Sequence, residues 1–352
     1  MTPLRQRWIN HLDQEPRART VQVAEALGVT EAELLFARVG DDAVQLKADW
    51  QPLLEGLPAV GPVMCLTRNA FVVHESTGPF ERVEWSPHMA GVFGTHIDQR
   101  LILGRWALAI AAPVETRKGA MKSIQVFDHA GTAVLKIYAQ HNTDTEAWDA
   151  LIADRTEPNP SLPAIAPIPA PVEVPDAQID AAELRQAWAN MTDTHQVHPL
   201  LRRLGVAREQ ALRLVGSEWA VPVAKAALDE ILNGCAEDAE PVMVFVGNRG
   251  CIQIHSGLID RVMPMGSWIN VLDPAFNLHA DRDGLARAWV VRKPTDRGLV
   301  LSLEVFSEEG VLLVQMFGQR TEDQSQRPSW HERLERLTHP TTSDSATEAN
   351  AS

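Results

Sequence analysis

The chain has 352 residues and a formal net charge of -14 at pH 7. Domains commonly have about 150 residues, so this length is sufficient for two units that each bury a core. The acidic balance argues against a general nucleic-acid-binding protein, because attraction to phosphates requires a basic surface, although a local basic pocket is compatible with it.

The cysteines and the N-terminal segment favour a cytoplasmic protein. Cys65, Cys235 and Cys251 lack a C-x-x-C spacing, which fits neither a disulfide framework nor a zinc site and suits a reducing compartment. The first 20 residues are charged throughout, and no run reaches the roughly 18 apolar residues that a membrane span requires. We therefore expect neither secretion nor membrane insertion.

Helical patterns precede strand patterns twice along the chain. Apolar residues at helical spacing, such as Val23, Leu27 and Leu34, predict short amphipathic helices near the start. Later segments rich in Val, Ile and Phe predict strands, and Gly131 lies in the turn of a predicted hairpin. The same order follows in the second half, where Gly310 marks the equivalent hairpin.

A proline-rich segment separates the halves. Residues 157–180 read EPNPSLPAIAPIPAPVEVPDAQID, and prolines restrict the backbone and remove donors, so we predict an extended linker. Residues 338–352 contain few apolar side chains and are predicted to be disordered. The linker and the tail delimit two repeats, residues 1–156 and 181–337.

The two repeats are related in sequence at a constant spacing of 179 residues. Pairs at this spacing include Val126 and Val305, Phe127 and Phe306, Gly131 and Gly310, Gln140 and Gln319, and Asn69 and Asn248. The segment LGV also occurs twice, at residues 27–29 and 204–206. The sequence therefore predicts an α+β fold of two structural repeats, each a helical segment followed by an antiparallel sheet.

Imidazoles and cations are the remaining candidates for chemistry, because common phosphate-binding, nucleotide-binding, zinc-protease and serine-hydrolase motifs are missing. The candidates are Arg100, His195, His198, Arg208, His279, Lys293 and Arg320. Their spacing of three residues predicts His195 and His198 on one face of a helix. Taken alone, such residues more often cap helices or face solvent than bind a ligand.

Three long segments carry a family resemblance. They are MTDTHQVHPLLRRLGVAREQALRLVG, SWINVLDPAFNLHADRDGLARAWVVRKPT and LEVFSEEGVLLVQMFGQR. They resemble the cytoplasmic haem-utilisation family of HemS, HmuS and ChuS, also called haemin-degrading factors, and the likeness extends over residues 4–337. The resemblance implies that the sheets stack in a central core with helices outside and that haem binds in a cleft between the halves.

The resemblance also implies roles for individual residues. The family's proximal iron ligand matches His195, and the arginine on the opposite haem face matches Arg100. A guanidinium stays protonated, so Arg100 would hydrogen-bond a water or hydroxide on the iron instead of ligating it. The residues that meet the two propionates match Arg208, Lys293, Gln315 and Arg320. For Arg100, a salt bridge with Asp98 is the alternative interpretation.

This sequence departs from the family pattern at two positions. Phe317 stands where many members have tyrosine, which removes a phenolic hydrogen bond to a propionate and predicts a slightly lower affinity. His198 stands where members often have an aromatic residue. We consider it a possible alternative iron ligand during haem transfer, and a solvent-facing histidine is the other interpretation.

The resemblance implies a haem-binding protein of bacterial haem uptake. Such a protein receives imported haem and transfers it to a haem oxygenase, degrades it oxidatively to release iron, or does both. Catalysis would use His195 and Arg100 with an external electron donor, since the sequence has no nicotinamide or flavin motif. Expected partners are haem, a haem oxygenase and an inner-membrane haem importer. The alternative is a non-catalytic haem store or carrier, or a module that binds another anionic ligand.

Overall fold

Helices begin each half of the chain and strands follow them. The computed structural model describes residues 2–116, 119–169, 173–321 and 325–339. In these ranges the helices are α1 (Pro3–Gln14), α2 (Thr20–Leu27), α3 (Glu31–Phe36), α4 (Trp50–Gly56), α5 (Thr145–Arg155), α6 (Ala181–Ala189), α7 (Val197–Leu204), α8 (Arg208–Leu214), α9 (Ala227–Glu237) and α10 (Pro328–Thr338). The α+β class predicted from the sequence is confirmed.

The strands fall into two groups of nine within the same described ranges. Those of the first half are β1 (Val44–Leu46), β2 (Pro62–Arg68), β3 (Val72–Pro79), β4 (Arg82–Ser86), β5 (Met89–Phe93), β6 (Asp98–Leu101), β7 (Trp106–Thr116), β8 (Gly119–Asp128) and β9 (Ala133–Ala139). Those of the second half are β10 (Ala220–Val223), β11 (Val242–Gly247), β12 (Cys251–Gly257), β13 (Val262–Met265), β14 (Trp268–Leu272), β15 (Phe276–Asp281), β16 (Arg287–Thr295), β17 (Gly298–Phe306) and β18 (Leu312–Gly318).

Local signals explain several of these boundaries. Thr30 caps α3 by accepting a hydrogen bond from the Glu33 amide, while the Glu33 carboxylate accepts from the Thr30 amide. Gly205 ends α7 with φ 63°, a left-handed conformation that glycine adopts without a Cβ clash. Gly131 and Gly310 have φ 75° and 74° in the hairpin turns, as predicted from the sequence.

Each half contributes three strands to the sheet of the other half. The first sheet has the order β1-β7-β8-β9-β2-β3-β15-β14-β13, and the second has the order β10-β16-β17-β18-β11-β12-β6-β5-β4. All their pairings are antiparallel. The joints are β3 with β15 and β12 with β6. This exchange places Arg100 of the first repeat in the same sheet as Lys293, Gln315 and Phe317 of the second.

Two asparagines at equivalent positions fasten the halves to each other. The Asn69 side-chain amide donates to the carbonyl of Leu313 (2.8 Å), and the Asn248 amide donates to the carbonyl of Val134 (2.9 Å). Leu313 lies 179 residues after Val134, which is also the spacing of the two asparagines. The reciprocal bonds show that the repeats are related by an approximate twofold axis through the sheet joints.

The helices pack on the outer parts of the sheets. Helix α9 and α10 contribute Leu228, Ile231 and Trp330 to a buried cluster with β11, β16 and β17. The cluster around Leu184 and Trp188 joins α6, α7 and α8 to β16. Sheets in the centre and helices outside agree with the architecture that the family resemblance implied.

The ends of the repeats lie between helices. Helix α5 ends at Arg155 and α6 begins at Ala181, and the described residues between them contain one short 3-10 turn, Asp176–Gln178. The division into residues 1–156, 157–180, 181–337 and 338–352 stays a prediction. Most of the predicted disordered tail, residues 340–352, lies outside the described residues. No helix in the described part of the chain is long and apolar enough to cross a membrane.

Candidate functional site

Four predicted site residues from two repeats lie on one face of the second sheet. In an antiparallel sheet, directly paired residues share a face, and alternate residues of a strand do so too. The pairs Glu304 with Gln315, Gln315 with Phe245, Phe245 with Ile254, and Ile254 with Asp98 run across five strands. Lys293, Phe317 and Arg100 belong to the same set. We call this the open face of the second sheet.

The open face is half-buried in its centre, whereas the opposite face forms the core. Phe245, Gln315 and Phe317 are partly exposed, while their neighbours Val244, Val314 and Met316 on the other face are buried. The rings of Phe245 and Phe317 meet edge to face, with centroids 5.3 Å apart. These two rings provide an apolar floor that a flat ligand can cover.

A buried carboxylate holds two of the predicted cations beside this floor. Glu304 accepts from Arg208 Nε (2.8 Å), from Arg208 Nη2 (2.9 Å) and from Lys293 Nζ (2.6 Å). Ser302 Oγ accepts from Lys293 Nζ at 2.6 Å and donates to Glu304 Oε1 at 3.2 Å. The side chains of Glu304, Lys293 and Arg208 are 0%, 2% and 25% exposed. Lys293 Nζ also lies 4.9 Å from the centroid of the Phe317 ring.

The charges of this cluster support one another. Burial lowers the pKa of Lys293 to about 8, against the attraction of Glu304, so the ammonium is still mostly charged at neutral pH. Burial alone would raise the pKa of Glu304, but Arg208 and Lys293 outweigh it and lower that pKa. The sequence analysis missed Glu304, although a single acid in the apolar strand LVLSLEVF was a visible signal.

Arg100 is held against an aromatic ring at the other end of the open face. Its guanidinium carbon lies 4.3 Å from the centroid of the Phe93 ring, and Nη1 donates to Asp98 and to the carbonyl of Gln99. The salt bridge with Asp98 considered as the alternative is therefore present. The Arg100 side chain is still 32% exposed, so the ion pair does not close it off from the face.

Gly91 makes room for the ring that supports Arg100. It pairs directly with Arg100 in the sheet, and a Cβ built on Gly91 would lie 2.4 Å from Phe93 Cε2. Because real Cβ atoms do not approach a ring carbon so closely, the Phe93 ring occupies the space above a glycine that has to remain one. Neither Gly91 nor Phe93 was identified from the sequence.

Replacing Gly91 by alanine is expected to lower the free energy of unfolding by about 1 to 3 kcal/mol, the usual cost of overpacking. The added methyl group displaces the Phe93 ring from beneath Arg100. Denaturant unfolding measures the effect. Gly104→Ala is the matched control, because a Cβ at Gly104 would meet nothing within 4 Å. Equal stabilities of the two variants would contradict this account of Gly91.

His195 lies in a 3-10 turn at the edge of the second sheet. The turn, Thr194–Gln196, follows Asp193, whose Oδ1 accepts from the His195 amide at 2.7 Å and lies 2.6 Å from His195 Nδ1. A carboxylate only accepts, so Nδ1 carries the proton and Nε2 keeps its lone pair. Nε2 has no hydrogen-bond partner within the described segments. The side chain is 90% exposed, which leaves Nε2 accessible to a metal ion.

The His195 turn is tied to the open face by two contacts. Arg320 Nη2 donates to Thr194 Oγ1 at 2.9 Å, and the Asp296 amide donates to the Thr192 carbonyl at 3.0 Å. Arg320 follows the last strand of the second sheet, and Asp296 lies in the turn between β16 and β17. The structure therefore brings His195 and Arg320 to the end of the sheet that carries Lys293.

His198 differs from His195 in its position and its hydrogen bonding. The prediction that both lie on one helix is wrong, because His195 precedes α7 and the backbone conformation changes at Val197. Arg202 Nη2 lies 3.0 Å from His198 Nε2 and donates to it. Burial, together with the charges of Arg202 and Arg208, lowers the pKa of His198, so its imidazole is neutral at pH 7.

The other arginines near His195 are engaged in pairs. Arg203 pairs with Glu183, and Arg213 Nη2 lies 3.0 Å from a Glu173 oxygen. They therefore stabilise the helical surface, which agrees with their interpretation as pair-forming residues.

The equivalent face of the first sheet has a different charge arrangement. Glu31 is buried and pairs with Lys136 (3.0 Å) and Arg68. His279 is the counterpart of Arg100 at the 179-residue spacing, and its Nδ1 lies 2.7 Å from Asn270 Oδ1. The two faces have thus diverged, and the set of two cations around a buried acid beside an exposed imidazole belongs to the second.

The fold and this cluster define a duplicated α+β protein with a cation-lined, partly aromatic binding face. The family described as "Haemin-degrading HemS.ChuX domain" matches residues 28–154 and 205–337. The chain therefore belongs to the haemin-degrading HemS/ChuX family, as the sequence resemblance indicated.

Individual relatives agree over nearly the whole chain. The hemin transport protein HmuS of Yersinia pestis is 40% identical over 336 residues, covering 95% of this chain and 97% of HmuS. The crystal structure of holo-PhuS, a heme-binding protein from Pseudomonas aeruginosa, superposes with a TM-score of 0.92 at 42% identity, covering 95% of this chain and 98% of PhuS. ChuS, described as an E. coli heme oxygenase, gives 0.87 at 36% identity, covering 96% and 99%.

Proposed function

We propose that this chain binds haem on the open face of the second sheet and serves haem uptake. In that role it receives imported haem in the cytoplasm and transfers it to a haem oxygenase, degrades it oxidatively to release iron, or does both. The observation that carries the proposal is the assembly of Arg100, Lys293, Gln315 and Phe317 on one face, with His195 beside its edge. The relatives named for heme binding, hemin transport and heme oxygenase activity support it.

The side chains have complementary roles in this proposal. His195 Nε2 coordinates the iron of haem, the substrate, because Asp193 keeps the proton on Nδ1. Arg208, Lys293, Arg320 and Gln315 meet the propionates, since buried carboxylates require cations or strong donors. The Phe245 and Phe317 rings cover the apolar surface of the porphyrin. Phe317 offers no hydroxyl, so the propionates depend on the cations and Gln315.

Arg100 is proposed to act on the side of the iron opposite His195. Its guanidinium donates hydrogen bonds and stays charged, which would direct oxygen towards the macrocycle if the chain degrades haem. The electrons would come from an external donor. A haem oxygenase and an inner-membrane haem importer are the proposed protein partners.

A non-catalytic carrier or store is the second candidate function. It is favoured by the ion pair between Arg100 and Asp98, which engages the only proposed group for oxygen chemistry among the described residues. Binding of another anionic ligand by Arg208 and Lys293 is a further possibility within this class.

A single experiment separates these functions. The purified protein is mixed with haemin, and a sharpened Soret band at one equivalent is the expected result. Ascorbate is then added in air with catalase present. Decay to a biliverdin-like product supports degradation, whereas a stable band with fast loss to a haem oxygenase supports delivery. Absence of a saturable Soret change would contradict haem binding itself.

Replacing Asp193 by asparagine is expected to weaken haemin binding about tenfold, the usual effect of losing a partner of a ligating histidine. Asparagine keeps an oxygen for the His195 amide but loses the charge that holds the Nδ1 proton. Haemin titration measures the dissociation constant. Asp180→Asn is the matched control, because Asp180 caps α6 through the Glu183 amide (2.8 Å) and contacts no histidine. Equal affinities in both variants would count against the role of Asp193.

A further inference from the structure

The buried carboxylate of Glu304 has no role in the proposed function so far. It is fully buried, yet it is surrounded by the two cations that should meet an anionic ligand. Two cations that were needed only for the ligand would repel each other in the empty protein. Glu304 removes this repulsion and fixes both head groups through bonds of 2.6 to 2.9 Å.

The fold itself does not require this cluster. At the 179-residue spacing, Gln125 stands in place of Glu304 and Val114 in place of Lys293. At the 177-residue spacing of the two LGV segments, Glu31 stands in place of Arg208. Gln125 is buried like Glu304, its Nε2 donates to Ser123 Oγ at 3.2 Å, and its Oε1 is without a partner among the described residues. The first sheet therefore forms without the cluster, which occurs only in the half that carries His195.

Glu304 also sets the net charge that a ligand meets. Arg208, Lys293 and Arg320 supply three positive charges, and the pKa of Lys293 is lowered in part by the nearby Arg208 and Arg320. The Glu304 carboxylate cancels one of them. The remaining charge of two matches a ligand with two carboxylates and leaves a third or fourth carboxylate without a partner.

We propose that Glu304 is a positioning and specificity-determining residue, which holds Arg208 and Lys293 in place and selects tetrapyrroles with two carboxylates over those with four. This inference rests on the proposed haem-binding function. It assigns the discrimination to the buried acid and not to the cations alone, because like-charge or unmatched-charge contacts decide specificity more strongly than they decide affinity.

The test compares two iron porphyrins that differ in carboxylate number. Iron protoporphyrin IX has two carboxylates and iron coproporphyrin III has four, and the dissociation constant of each is measured by Soret titration. The wild-type protein is expected to prefer the dicarboxylate. In Glu304→Gln, which has one more net positive charge, the ratio of the two constants is expected to shift about tenfold towards the tetracarboxylate. An unchanged ratio would overturn the proposal.

Two further variants keep the test decisive. Glu304→Gln combined with Lys293→Gln restores the net charge and is expected to return the ratio towards the wild-type value, whereas Lys293→Gln alone shifts it in the opposite direction. If Glu304→Gln does not fold, the comparison between the double variant and Lys293→Gln still measures the effect of Glu304. Failure of the ratio to differ between them would overturn the proposal.

A matched control addresses a purely structural role. Glu209 is also buried and pairs with Arg287 Nε at 2.6 Å, away from the Glu304 cluster. Glu209→Gln is expected to leave the ratio unchanged, and an equal shift in this variant would contradict the assignment to Glu304. If wild-type protein binds neither porphyrin, the proposed function fails together with this inference. If it binds both and the ratio does not move, only the role of Glu304 fails.

Discussion

Replacing His195 by alanine is expected to raise the dissociation constant for haemin by at least about 100-fold. Losing an outer-shell partner of a ligand already costs about 10- to 100-fold, so losing the ligand itself should cost more. The neighbouring protein structure should be unaffected, because the His195 side chain is 90% exposed. Haemin titration followed through the Soret band measures the change, and circular dichroism checks the fold.

The His195 variant also tests His198 as an alternative iron ligand. If His198 replaces it, the variant should keep a six-coordinate Soret spectrum, and His198→Ala in the same background should remove it. Complete loss of that spectrum in His195→Ala leaves the hypothesis for His198 without support. His141→Ala is the matched control, since His141 is an exposed histidine of the first repeat. Wild-type haemin affinity in His195→Ala would contradict its assignment as the iron ligand.

Replacing Arg100 by leucine is expected to lower reductant-dependent haem degradation about 100-fold, if the wild-type protein degrades haem. This is the usual loss when one preorganised hydrogen-bond donor is removed from a reacting site. Haemin affinity should change little, because Arg100 is assigned to neither the iron nor the propionates. The rate of Soret decay with ascorbate measures the effect.

A second measurement tests Arg100 even if the chain only carries haem. A nearby guanidinium stabilises hydroxide over water on the iron, so it lowers the pH at which the bound water loses its proton. The midpoint of the acid-to-alkaline spectral change should therefore rise in Arg100→Leu. Arg82→Leu is the matched control, because Arg82 lies 5.2 Å from the same Phe93 ring at the exposed end of the sheet. An unmoved midpoint in Arg100→Leu would contradict its placement near the iron.

The local elements could be predicted from the sequence for simple reasons. Apolar periodicity indicated helices and strands, and glycines that need positive φ marked the hairpin turns at Gly131 and Gly310. The repeat spacing of 179 residues indicated a duplicated fold. The exchange of β4–β6 and β13–β15 between the sheets could not be predicted, because strand partners far apart in sequence leave no periodic signal.

The candidate site was only partly accessible from sequence. His195, Arg100, Arg208, Lys293, Gln315, Phe317 and Arg320 were named through resemblance, and their roles stay predictions. Glu304, Gly91, Phe93 and Asp193 act through contacts with those residues and were not identified. Each of these contacts depends on atoms meeting within about 3 to 5 Å, which spacing along a chain does not report.

The sequence alone determined the two repeats, their order of helices and strands, and the family, because periodicity and repeated motifs are properties of the chain itself. Only the tertiary structure decided that Arg100 joins the sheet of the second repeat and that Glu304 sits between Arg208 and Lys293. The physical reason is that antiparallel pairing of β6 with β12 and burial of the apolar side of the second sheet turn these residues to the same open face.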